Sequence, residues 1–250
     1  MSYHWNWGIF LAPVATGEPM TYLGWLISGF EMTALISLAG WLIAIIVGAL
    51  MGVVRTLPGK LLGGFAASYV AVFRNIPLIV QFFIWFWVVP ELLPPHIGRA
   101  VKHMPPAEFA ILCSIVCLGL FTSARVCEQI RAGLEALPRG QKEAALSLGL
   151  SLPQTYRYVL LPTALRIIVP TLTSEFLNIF KNSSVASTIG LLELSAQAQR
   201  MIDYTSQAYE SFIAVIGTYA LMTGLIMLVM QRVEKRVEKR DRLSGQAGNP

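Results

Sequence analysis

The sequence predicts an all-α integral membrane protein of about five transmembrane helices, and three observations carry that reading. Of 250 residues, 55% are hydrophobic and only 13% charged, against the roughly one-quarter charged of soluble domains. The apolar residues fall in runs long enough to cross a bilayer as helices, which satisfy their own backbone hydrogen bonds in lipid. The basic residues lie between these runs and after the last one, as in cytoplasmic loops, so the net charge of +5 describes topology and no nucleic-acid partner. Three cysteines, Cys113, Cys117 and Cys127, share one apolar helical region, which makes them buried small side chains and no disulfide framework.

Residues 1–22 carry no Lys or Arg, and Trp5, Trp7 and Tyr22 suit a membrane interface, so this N-terminal segment is expected outside. It has no basic n-region or cleavage site and does not read as a removable signal peptide. Met32 to Val54 is free of charge and makes roughly 34 Å of helix, enough for a first span. Within it Gly40, Ala44, Gly48 and Gly52 recur every fourth residue, a smooth face on which a neighbouring helix can pack closely.

Arg55 to Lys60 forms the first inside turn. The chain then runs apolar to Val89 apart from Arg74. The part up to Phe73 is expected to enter along the interface and the residues after it to form the second span, with Pro77 near its start. The loop from Glu91 to Pro106 contains Pro94, Pro95, Pro105 and Pro106 and is expected outside, with little helix. A third span starts at Ala107 and ends in Arg125, Glu128, Arg131 and Glu135. Its charge-free part, Phe109 to Ala124, is shorter than the roughly 20 residues a span requires, which puts Arg125 at membrane depth. The fourth span is expected from near Arg166, Gly190 to Ser206 forms the next outside segment, and Ala208 to Gln231 is the fifth span. Residues 232–250 make a basic cytoplasmic tail. No internal repeat is visible.

Between the third and fourth spans lies EAALSLGLSLPQTYRYVLLP, Glu143 to Pro162. Glu143, Ala144 and Ala145 are expected to open a short helix, with Glu143 favoured near the positive end of the helix dipole. Gly149 is placed to close it in the left-handed conformation. Ser151 to Gln154 fits a capping box for a second helix, with Pro153 in the first turn. Ala145 and Gly149 also imitate a DNA-binding helix-turn-helix. A DNA reader, however, needs basic side chains on the second helix, where Tyr156, Tyr158, Val159 and Leu160 lead into an apolar span.

A charge buried in a transmembrane helix costs about 2.5 to 3.5 kcal/mol on insertion scales, so it faces a partner or a watery path. Arg125 and Glu128 are three apart, on one helix face. They either neutralise each other or offer the guanidinium to a substrate carboxylate. Farther on, Thr171, Ser174, Asn178 and Lys181 share a stripe with Glu175 and Asn182 beside it. That stripe runs into Ser183, Ser184, Ser187 and Thr188, polar residues that either line a path for a small zwitterion or bond neighbouring helices.

The stretch Glu143 to Pro162 resembles the cytoplasmic EAA signature of ABC importer permeases: Glu-Ala-Ala, Gly149 at the seventh position, Val159 where Ile is usual, and Leu161-Pro162 at the end. Phe73 to Gln81 resembles the FRGTPLLVQ motif of polar-amino-acid permeases, and Glu175 to Leu194 is similar to their NExIxLLKDTSLVSxIGVxEL block. Two departures stand out: Asn182 replaces the usual Asp, and Arg125 stands where the family commonly has an uncharged aromatic-containing stretch. Both favour an anionic substrate such as glutamate or aspartate; glutamine, arginine or histidine are the alternatives.

The resemblance implies a type I ABC importer permease fold, one transmembrane permease domain over residues 1–250 in a bacterial cytoplasmic (inner) membrane. It implies a coupling helix and EAA motif in 138–162, with Glu143, Ala144, Ala145, Gly149, Leu161 and Pro162 meeting the ATPase. The substrate path would use Arg125, Glu128, Glu175, Asn178, Lys181, Asn182, Ser183, Ser184 and Arg74. The implied partners are a second, similar permease chain, two ATP-binding cassette subunits, an extracytoplasmic solute-binding protein and membrane lipid. The chain has no Gly-x4-Gly-Lys-Ser/Thr phosphate loop, so no catalytic residue, cofactor or metal is expected in it, and ATP with magnesium belongs to the ATPase. An ion-coupled secondary transporter would need its own coupling site and commonly shows inverted repeats.

Overall fold

In the computed structural model the described residues are 3–246; the first two residues and 247–250, the end of the expected tail, lie outside them. A 3-10 turn at Trp7–Leu11 precedes eleven helical segments. These are α1 Tyr22–Val54, α2 Lys60–Asn75, α3 Leu78–Phe83, α4 Val89–Leu92, α5 Pro95–Lys102, α6 Pro106–Glu135, α7 Arg139–Ser147, α8 Leu152–Thr155, α9 Leu161–Asn182, α10 Leu194–Thr205 and α11 Ala208–Gln246. Four stretches, Tyr22–Val54, Pro106–Glu135, Leu152–Ile189 and Ala208–Val237, are long and apolar enough to cross a membrane, and the pair Lys60–Asn75 and Leu78–Leu92 brings the number up to five.

Two compact units divide the chain: Met1–Trp41, Ile76–Gly119 and Ile179–Gly224 form the first, Leu42–Asn75, Leu120–Asn178 and Leu225–Pro250 the second. The chain passes from one unit to the other five times.

The small-residue stripe of α1 does what its spacing predicts. A Cβ on Gly48 would lie 2.6 Å from Cβ of Val126, and one on Gly52 2.8 Å from Cβ of Ile130. Ala44 is fully buried. Earlier in the helix Gly29 is pressed against the backbone of Leu194, 2.8 Å from the same construction. The first span thus begins ten residues before the expected Met32, because Tyr22 and Trp25 are core residues, at 3% and 1% exposure. Tyr22 packs edge-on against Trp25, with its ring inside the protein. Cys113, Cys117 and Cys127 are free and buried.

The loop expected to hold little helix is largely helical, because of where its prolines fall. Pro95 occupies the first turn of α5, and Pro106 is the first residue of α6; there the missing N–H costs nothing. Two further prolines, one in each of the second and fourth spans, follow a widened turn, whereas Pro170 lies inside α9 without one. A π turn at Ile84–Val88 lies just before Pro90, and another at Tyr156–Leu160 just before Pro162. The wider ring makes room in the turn that a proline would otherwise crowd. Consequently the fourth span is helical from Leu152, well before the expected Arg166.

Near the N-terminus, Arg200 lies over the Trp25 ring at 3.9 Å and donates to Glu18 at 2.8 Å. The Trp25 indole N–H donates to the same carboxylate at 3.0 Å. The indole, then the guanidinium, holds the Glu18 carboxyl below the usual carboxylate range.

Candidate functional site

The EAA segment folds as a helix, a glycine break and a second helix. Gly149 has φ +85°, and Leu150 N–H donates to Ala145 O at 3.2 Å while Gly149 N–H donates to Leu146 O at 3.0 Å, a Schellman closure. The capping box forms, with Ser151 N–H donating to Gln154 Oε1 at 2.8 Å. Glu143 does not open the helix: α7 starts four residues earlier, after Pro138, so Glu143 stands mid-helix and the dipole argument fails for it. Ala145 is the buried contact. Glu143, Ala144, Leu146 and Leu148 face outward, Leu148 at 85% exposure.

The base of this hairpin is tied to the first inside turn, which sequence reasoning did not connect with it. The Tyr156 hydroxyl donates to Thr56 O at 2.8 Å, and the Lys142 ammonium lies 5.8 Å from the Tyr156 ring centre. A cavity of about 450 Å³ opens there, lined by Thr56, Leu134, Pro138, Arg139, Lys142 and Tyr156 among others. Leu161 is half-buried and Pro162 exposed at the start of α9.

The charges of the second unit sort into two groups. Glu128 is fully engaged: Arg131 donates to it twice, at 3.1 and 2.9 Å, and Arg55 pairs with its other oxygen. Arg131 also bonds Glu135 at 2.5 Å. Arg125 does not pair with Glu128, despite their spacing. Its guanidinium lies over the Phe121 ring, 5.0 Å from the centroid, and 4.0 Å from Glu175 Oε2. Arg55, at the end of the first span, is the residue that sequence reasoning missed; its place beside the other helix ends was the available signal.

Glu175 is 8% exposed, and its Oε2 accepts no hydrogen bond. Asn178 hydrogen-bonds its carboxyl, and Arg74 is near enough to act on it electrostatically. Two cations thus act on one buried carboxylate.

Lys181, Asn182, Ser183 and Ser184 belong to the other unit. Lys181 is exposed there and Asn182 half-buried. The hydroxyls that follow turn back on their own backbone. Ser183 donates to Phe180 O at 2.7 Å, Ser184 to Lys181 O at 2.8 Å, Ser187 to Ser184 O at 2.7 Å and Thr188 to Val185 O at 2.7 Å. Their donors are spent within the helix; their oxygens can still accept.

A further polar centre in this unit was not foreseen. Glu193, fully buried, caps α10 by accepting from Ala196 N–H at 2.8 Å and Ser195 N–H at 3.0 Å. Tyr219 donates to it at 3.1 Å, and Leu194 N–H donates to Thr33 Oγ1 at 3.1 Å. The signal was a Glu two residues before a Ser-Ala pair that opens an amphipathic helix.

Residues 44–239 match the family described as binding-protein-dependent transport system inner membrane component. The chain is similar to the glutamate/aspartate import permease protein GltJ of Escherichia coli (strain K12), 53% identical over 249 residues and 99% of both chains. It is 30% identical over 213 residues to the glutamine transport system permease protein GlnP of the same strain, covering 85% of this chain and 93% of that one. Among solved structures, a chain of an amino acid ABC transporter with histidines superposes with a TM-score of 0.70 at 29% identity, over 86% of this chain and 95% of the other.

Proposed function

The chain belongs to the family of binding-protein-dependent transport system inner membrane components, and from that premise we propose that it is the permease subunit of an ATP-driven importer of acidic amino acids, glutamate and aspartate foremost. The observation that carries the substrate is the 53% identity over nearly the whole of both chains with a glutamate/aspartate import permease. The cluster around Glu175 supports the same reading. A substrate side-chain carboxylate competes with Glu175 for the Arg125 guanidinium, which Glu175 holds only at 4.0 Å. Asn178 and the free oxygen of Glu175 are left to receive the substrate ammonium.

Energy enters from outside this chain. The exposed face of α7, Glu143, Ala144 and Leu146, with its C-cap Leu148, seats on a separate ATPase subunit, and the Tyr156 tie to Thr56 carries its displacement to the ends of the spans. Two such ATPase subunits, a second permease chain and an extracytoplasmic binding protein complete the importer, with the N-terminus outside and the C-terminus in the cytoplasm. Glu143→Arg is expected to abolish uptake while leaving the subunit inserted; normal uptake by that variant would remove α7 from the coupling path.

The deciding experiment is competitive uptake of labelled glutamate by cells carrying the complete importer, with unlabelled aspartate, glutamine and arginine. Competition by aspartate and none by arginine is expected. Competition by arginine or glutamine would keep the permease and discard the acidic substrate.

A further inference from the structure

Within the first unit, the outer turns of α1 and α11 enclose a groove of about 390 Å³ lined by Phe10, Leu23, Ile27, Phe30, Ala214 and Leu221, with Leu26 and Thr218. Its single hydroxyl is already spent, Thr218 Oγ1 donating to Ala214 O at 2.8 Å. Water held there would need two to four polar partners, and the groove provides none. Left empty, it would forfeit the dispersion contacts of every lining side chain.

The depth of the groove identifies what fills it. Ser211 to Gln231 of α11 is an uncharged run in which Leu221 is the middle residue, so the groove reaches well into the hydrocarbon layer. Leu23, Ile27 and Leu221 are 40%, 51% and 64% exposed, which opens it sideways to the acyl chains that surround a spanning helix. At its mouth Phe10 is the last rung of an aromatic ladder: Trp7 stacks on Phe10 with centroids 6.3 Å apart, and Trp5 on Trp7 at 5.6 Å and 1°. Trp5 and Trp7 are half exposed, at 55% and 49%, as befits rings at the level of lipid glycerol and headgroups. The ladder is fixed to the start of α11 by Glu210, which accepts from the Tyr3 hydroxyl and, at 2.7 Å, from Asn6 N–H.

We propose that this groove is a phospholipid site, with one acyl chain lying between α1 and α11 and the ester region against Trp5 and Trp7. Bulk lipid does not exclude such a site. Association in a bilayer is driven by fit and not by hydrophobicity, and a preformed slot with an aromatic mouth offers fit.

The test uses the full chain in nanodiscs containing phosphatidylethanolamine with a photoactivatable diazirine midway along one acyl chain. After illumination, about tenfold more label is expected in the peptides carrying Leu23 to Phe30 and Ala214 to Leu221 than in the exposed α1 stretch Leu42 to Leu50. Ala214→Phe, which fills the slot, should abolish that excess. Equal labelling of both stretches would overturn the proposal in favour of bulk lipid. Protection of the groove peptides would overturn it in favour of a protein partner seated there. Trp5→Ala with Trp7→Ala leaves the helices intact and should lower the excess labelling severalfold; no change would remove the aromatic mouth from the site.

Discussion

Glu128 and Glu175 are the same residue type at the same kind of position, a carboxylate in an apolar helix with an arginine three or more residues away or on a neighbouring helix. Their surroundings differ completely. Glu128 receives two arginines and is bonded through both oxygens. Glu175 holds one arginine at arm's length and keeps an oxygen without a hydrogen bond. Saturated buried charge fixes helix ends together; an unsaturated one is poised to accept a ligand's charge.

The largest effect should come from breaking the saturated cluster. Glu128→Ala leaves Arg55 without its carboxylate and Arg131 with Glu135 alone, and loss of charged hydrogen bonds in a half-buried cluster costs about 1 to 3 kcal/mol. Thermal unfolding of the detergent-solubilised chain should show a clear drop, with uptake lost in proportion to the lost protein. By contrast, Glu175→Gln and Arg125→Gln should leave unfolding within about 1 kcal/mol of the parent. Each should still weaken glutamate uptake by about 10- to 100-fold. If Arg125→Gln transported glutamate with the parent's rate and affinity, the poised pair would be structural.

Packing offers a second lever on the same helices. Gly48→Ala would force its methyl to within 2.6 Å of Val126, at a cost of about 1 to 3 kcal/mol. Gly63→Ala in α2 meets nothing within 4 Å and should stabilise by up to about 1 kcal/mol. Unfolding curves of the two variants should move in opposite directions.

The third carboxylate, Glu18, is saturated like Glu128 but exposed, so salt and solvent weaken its pair. Its folded carboxyl titrates below its ordinary value of 4.5. Its contribution is therefore present above that pH and is lost as the pH falls through the depressed folded value. Acidification below about 4.5 should loosen the contact with Trp25, read as a change in near-ultraviolet circular dichroism. Glu18→Gln should show no such step.

What the sequence by itself determined is whatever depends on local pattern. Run length and charge placement determined the all-helical membrane class, because lipid admits only segments that satisfy their own backbone, and long uncharged runs do so as helices. The spacing of Gly40, Ala44, Gly48 and Gly52 fixed a packing face, and Gly149 with Ser151 and Gln154 fixed the hairpin, since those residues act through their own backbone. What only the tertiary structure decided is pairing. Arg125 and Glu128 sit together on one helix, yet they do not pair: Arg125 lies nearest Glu175 on another helix, and Glu128 holds Arg131 of its own helix together with Arg55 of the first span. Charge energy depends on distance in space and on burial, and neither is written in the spacing of residues along a single helix.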